Sequence, residues 1–158
     1  MSSQLITTWT EHDDAVCHLL AIAAHKLRIF DHDLSKLKLE QADRASALRQ
    51  FLTGNPKNTI QIAVQNAEVI ERNSPRLMSL LASFSHQMKI IQCPLHLISL
   101  SDALLLADER HAVVRFHKDQ ARARAILDEP GECAAYEKRL DEIIAEGGTP
   151  ISSTTLGL

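Results

Sequence analysis

The chain has 158 residues and a mass of 17.6 kDa, enough for one ordinary domain with its own core and too little for two. Apolar residues make up 45% and charged residues 23%, so a core forms without disulfides or a structural metal. Seventeen Lys and Arg against twenty Asp and Glu leave a net charge of −3, which excludes both a generally basic nucleic-acid coat and a strongly acidic disordered chain.

Met1 to Thr10 lacks a basic region followed by an apolar run, so no secretory signal is expected. Thr8 and Glu11 have the spacing of a capping box, and Val16, Leu19, Leu20 and Ala23 follow at helical spacing, predicting a helix from Trp9 to about His25. Lys26 to Asp31 alternates polar and apolar and reads as a strand, closed by the polar cluster Asp31-His32-Asp33. Glu40 to Thr53 turns helical, with Ala42, Ala45, Leu48 and Leu52 on one face, and Gly54 and Asn55-Pro56 end it. Thr59 to Gln65 is the clearest strand. Asn66 is placed to cap a helix that Pro75 interrupts, and Ser74 is placed as a fresh N-cap with Pro75 at the first helical position. Leu77, Leu80, Leu81 and Phe84 form the apolar stripe of that second helix.

Met88 to Cys93 is a third strand. Leu95 to Leu100 fits a short helix or a loop. Asp102–Ala107 and Ala112–His117 flank a four-residue turn as a hairpin. Helices are expected near Gln120–Leu127 and over Glu132–Glu146, and the tail from Thr149 to Leu158 is expected to dock through Leu156 and Leu158. Strands alternating with helices predict a largely parallel sheet covered on both faces, with ligands beyond the strand C-termini.

No GxGxxG, GxxxxGK[ST], GxSxG or HExxH occurs, and five glycines leave little for a phosphate-cradling loop. The eight histidines lack metal-ligand spacing, so no cofactor or metal is expected. Cys17, Cys93 and Cys133 have no CxxC spacing and are expected to be reduced, in a cytoplasmic protein. No apolar run is long enough to span a membrane. Two carboxylates beside His32 suit a general base or, more simply, a capped turn. Arg76 at a helix N-terminus suits an anion. Ser85-His86 with the Asp31/Asp33 pair would be the makings of a nucleophilic triad, but no strained elbow accompanies them. Arg122 and Arg124, with Lys118 nearby, form a local basic stripe, most simply a solvated face of the expected helix.

The segment Leu104–Phe116, with Asp108 at its turn, resembles the active-site hairpin of the phospholipase D-like superfamily, where a strand carrying HxKxxxxD leads into a second strand. With Asp108 as the motif aspartate, the histidine position falls on Ser101 and the lysine position on Ala103. Neither can accept or neutralise a phosphoryl group as the superfamily's residues do. Together with Arg28–Leu34, Ile60–Val64, Pro75-Arg76-Leu77, Leu80-Leu81, Ser85-His86, Leu140–Ile143 and Thr155–Leu158, the chain also resembles a bacterial family of phospholipase D-like domains without assigned function, met alone or behind GNAT-type acetyltransferase domains. It departs from that family at Ile144, where the family favours Trp. The resemblance implies a single α/β half-domain over residues 1–158, with a mixed sheet and helices on both faces. It also implies that two halves pack about a two-fold, hence a homodimer whose contact surface is sought at Ala112–His117 and at Leu95, Leu97, Ile98 and Leu100.

The functional expectation is a non-catalytic module that binds a small polar ligand or a protein partner at Asp31, His32, Asp33, Asn66, Arg76, His86, Asp108 and Arg115. The alternatives are a hydrolase or transferase using His32 or His86 with nearby carboxylates, and a nucleic-acid-binding accessory protein. Net negative charge and few aromatics count against the latter.

Overall fold

The structure is a computed structural model and describes residues 2–152. Eight strands form one sheet in the order β1-β7-β6-β5-β2-β3-β4-β8. In chain order the elements are β1 (Ser2–Ile6), α1 (Trp9–Ile22), β2 (Lys26–Asp31), α2 (Ala42–Gly54), β3 (Thr59–Val64), α3 (Glu68–Asn73) and α4 (Pro75–Ser83). Then come β4 (Met88–Gln92), a 3-10 turn over Leu95–Ser99, β5 (Ala103–Ala107), β6 (His111–Arg115), β7 (Ala123–Leu127), α5 (Pro130–Ala145) and β8 (Thr149–Pro150). Among the described residues no helix is long and apolar enough to cross a membrane.

The period-2 alternation of the strands explains the layering. Leu27, Ile29, Ile60, Ile62, Val64, Leu105 and Ala107 point to one face, where α1, α2, α3 and α4 bury them with Leu19, Leu48, Ile70 and Leu80. Phe30, Ala63, Leu104, Leu106, Val114 and Ile126 point to the other, where α5 covers them with Cys133, Leu140 and Ile143. Polar members of that second face are used to hold α5. Arg28 reaches Gln61 at 3.1 Å, Glu137 at 2.8 Å and Asp141 at 2.7 Å.

The mixed α/β fold is as expected, and the predicted strands and hairpin are present. Three expectations are corrected. The sheet is not largely parallel: only β2–β3 and β3–β4 run parallel, and the other five pairings among the described strands are antiparallel. The predicted helix at Gln120–Leu127 is instead β7, because β6 and β1 both offer open edges that its backbone satisfies, overriding the helix preference of Ala and Arg. Ser74 makes no side-chain capping bond. The α4 N-terminus is capped by Glu40, whose carboxylate accepts from Arg76 N at 2.7 Å and Leu77 N at 3.1 Å. The capping box at Thr8 and Glu11 is present, α1 stops at Ile22, and α5 begins at Pro130 rather than Glu132. Of the predicted docking tail, Thr149 and Pro150 pair with the β4 edge, whereas Leu156 and Leu158 lie outside the described residues.

Because β5 runs antiparallel to β2, its end at Ala107 lies beside the start of β2. Asp108, at φ 56°, opens the turn to β6 there, and its carboxylate accepts from the backbone N–H groups of Ala24, His25 and Lys26 at 2.9, 2.7 and 2.9 Å. Asp tolerates this left-handed backbone better than most residues. Asp108→Ala should therefore destabilise the fold by about 2–3 kcal/mol, read by chemical denaturation, by orphaning donors and placing alanine at positive φ.

Candidate functional site

β2, β3, β4, β6 and β1 all end on the same side of the molecule, and the functional candidates divide according to whether they reach it. Asp31, the last residue of β2, and Arg115, the last of β6, are each only 1% exposed. Arg115 Nη2 donates to Asp31 Oδ1 at 3.1 Å, and Arg115 Nη1 lies 3.3 Å from His12 Nε2. The guanidinium carbon sits 5.7 Å from the centre of the Trp9 ring, which meets His12 edge-on at 5.4 Å. Asp31 Oδ1 also accepts from His32 N at 2.6 Å. His32 Nδ1 meets Gln65 Oε1 at 3.1 Å, and Gln65 Nε2 donates to Leu97 O and Leu100 O, which straps the 3-10 turn over the end of β3.

The expected site is therefore brought together in part. Asp31, His32 and Arg115 form one network, with Asp33 and Asn66 beside it. There Asp33 accepts from Ser35 N at 3.0 Å and Asn66 Oδ1 from Glu68 N at 3.0 Å, so both serve turns. Arg76 lies at the start of α4, its guanidinium donating to Glu40 O, and the helix terminus it was expected to share with an anion already holds Glu40. Asp108 and His86 stand at the opposite end of the sheet, Asp108 because β5 is antiparallel to β2 and His86 because it precedes β4. Ser85 and His86 therefore cannot assemble with Asp31 or Asp33 as a triad.

His12, Trp9 and Gln65 complete the network; His12 and Trp9 were absent from the sequence-predicted site, whereas Gln65 closes the predicted strand Thr59–Gln65, beyond whose end a ligand was expected. Trp9 and His12 are i and i+3 in the first turn of α1, a spacing that marks a helix face and nothing more. Ala103, at the position where the motif would carry lysine, pairs directly with Arg115 across the hairpin. The cation at this end of the sheet thus comes from the neighbouring strand, and it is spent on Asp31.

Electrostatics fit this closure. Burial, then the charge of Arg115, hold His12 down at a pKa of about 4, so it is neutral and its Nε2 accepts from the guanidinium. Burial raises Asp31 above the ordinary carboxylate range against the opposing pull of Arg115. Asp31 Oδ2 and Arg115 Nε have no hydrogen-bond partner among the described residues. His12 is buried and His32 is held by Gln65, while the Ser101 backbone carbonyl accepts from Lys118 N. Among the described residues no group of three or more His, Cys, Asp or Glu is arranged to hold a metal ion.

The model of one family matches residues 8–148. The chain belongs to the DUF7931 family, a domain of unknown function. No curated protein matches the sequence. Among solved structures it is similar to TrmBL2, an archaeal chromatin protein described as showing a novel mode of DNA binding, at 10% identity and a TM-score of 0.68 over 94% of this chain. It spans only about half of that protein, 54%. Nuc from Salmonella typhimurium, a phospholipase D family member, gives 12% identity and a TM-score of 0.65, covering 96% of this chain and 98% of Nuc. NucT from Helicobacter pylori gives 10% identity and 0.57, covering 94% and 98%. At these identities the likeness carries the fold, which is phospholipase D-like, and no activity.

Two outcomes follow for this DUF7931 domain. Arg115→Ala leaves Asp31 buried without its cation and should destabilise by about 3–5 kcal/mol in urea titrations. As pH falls from 6.5 towards 4, the unfolded chain protonates His12 before the folded one does, so stability drops by roughly 3 kcal/mol at most. Asp31 runs the other way, its folded form taking the proton first, and offsets part of this. His12→Gln should flatten the loss in that pH window.

Proposed function

We propose that this domain is a non-catalytic, phospholipase D-like binding module that works through the strand-C-terminal end of its sheet and that its first partner is a second copy of itself. The observation that carries the reading is the distribution of exposed apolar side chains. Trp9, Leu95, Ile98 and Phe116 all lie at this end, Leu95 at 83% exposure, and among the described residues only Leu5 on the edge strand joins them as a large exposed hydrophobic. Clustered apolar exposure of this kind favours an interface over bare solvent, and a two-fold contact is the commonest form. β6 takes no part, since it is paired on both edges and buried from Ala112 to Arg115, so the contact moves from the expected strand to the 3-10 turn and Phe116. A protein surface suits this end better than a small polar ligand, because Arg115, Asp31 and Gln65 fill the space between the strand ends.

The non-catalytic part rests on Ser101 and Ala103 standing where the superfamily's motif has His and Lys. Purified protein should leave a bis-aryl phosphodiester unhydrolysed above the background rate. Turnover at enzymatic rates, abolished by His32→Ala, would revive the hydrolase reading. For self-association, light scattering at micromolar concentration should give the mass of two chains, and Leu95→Lys with Ile98→Glu should give one. Both positions are exposed, so the fold tolerates the change.

A nucleic-acid role is the second reading, favoured by the likeness to TrmBL2 and by exposed Phe116 beside Lys118 and Arg122 in the β6–β7 connection. A salt-sensitive mobility shift with random duplex DNA, weakened by Arg122→Ala, would support it.

A further inference from the structure

A groove of about 400 Å³ runs between α2 and α4 on the helical face, lined by Ala42, Ala45, Ser46 and Arg49 of one helix and Pro75, Arg76, Ser79 and Leu80 of the other. The α2 residues recur at i, i+3, i+4 and i+7, so they form one stripe, and the small side chains of Ala42, Ala45 and Ser46 leave the space beside α4 unfilled. Two guanidiniums reach this groove. Arg49 lies 5.6 Å over the Phe84 ring and Arg76 donates to Glu40 O, yet among the described residues neither has a carboxylate partner, a condition shared by Arg122 and by none of the chain's other seven arginines. The nearby acids are Glu40, whose two oxygens are turned onto the α4 amides, and Asp43, on the flank of the α2 stripe.

We infer that this groove binds a phosphate-bearing small molecule with a compact apolar body. Neither guanidinium is held by a contacting carboxylate, so the pair favours the two charges and three oxygens of a phosphate monoester over a singly charged carboxylate, with Glu40 and Asp43 offsetting part of the attraction for either. The Ser46 and Ser79 hydroxyls are free to donate to the remaining oxygens. Ala42, Ala45, Pro75 and Leu80 form an apolar floor for the rest of the ligand, and the volume falls in the range of small-molecule sites. The inference does not depend on the partner surface proposed above, which lies at the ends of the strands rather than between these helices.

Titration of the full chain with phenyl phosphate, inorganic phosphate and benzoate at fixed ionic strength, followed by backbone amide NMR, tests it. Phenyl phosphate should saturate with shifts confined to α2 and α4, inorganic phosphate should bind the same amides more weakly, and benzoate weaker than phenyl phosphate by roughly tenfold or more. Arg49→Gln and Arg76→Gln should each weaken phenyl phosphate by roughly tenfold. Should Arg76→Gln disturb the α4 cap, Arg49→Gln and the groove-filling Ser46→Phe, both at exposed mid-helix positions, decide the matter alone. Unchanged affinity in those two variants, benzoate binding as tightly as phenyl phosphate, or shifts centred elsewhere would overturn the proposal.

Discussion

The buried pair of Arg115 and Asp31 is the interaction around which the rest is arranged. It joins the last residues of two strands separated by the whole of β5, and it draws the first turn of α1 over them through His12 and Trp9. Two charges so far from water are maintained only if each satisfies the other, since removing one leaves the other stranded. That requirement makes β2, β6 and α1 a single unit. It also explains why a neutral histidine suits this position better than a charged one, which would repel the guanidinium.

The two ends of the sheet are managed by opposite means. At one, Asp108 gathers three backbone amides, and Lys26 pairs with Glu109, while Arg28 nearby is committed to α5, so polar groups are consumed locally. At the other, polar groups are withdrawn into a buried network and the outer layer is left to Trp9, Leu95, Ile98 and Phe116. Gln65 is the hinge of this arrangement, because one amide both orients His32 and ties down the apolar 3-10 turn. The fold is similar to that of Nuc and NucT, and that likeness leaves the chemistry of the strand ends to be read from this chain's own residues.

The helical face is a third region with its own logic. Glu40 stands where a free anion would otherwise meet the α4 N-terminus, and this internal carboxylate leaves Arg76 directed along the groove rather than at its own helix end. Internal groups satisfy the helix end, while among the described residues Arg49 and Arg76 have no carboxylate partner.

By itself the sequence determined the features whose physics is local. Alternation marked Lys26–Asp31, Thr59–Gln65 and Met88–Cys93 as strands, and the Thr8–Glu11 spacing marked the start of α1. Only the tertiary structure decided strand direction, and direction sent Asp108 and His86 to one end and Asp31, His32 and Arg115 to the other, because side-chain periodicity is the same in parallel and antiparallel strands. The same holds for β7, whose Ala-rich sequence becomes a strand only because two open edges await it, and for β1, a short polar segment with no pattern of its own. Arg115 meets Asp31 across 84 residues and His12 across 103, and no spacing rule reaches that far; their pairing exists because burial at a shared strand end denies these charged and polar groups water.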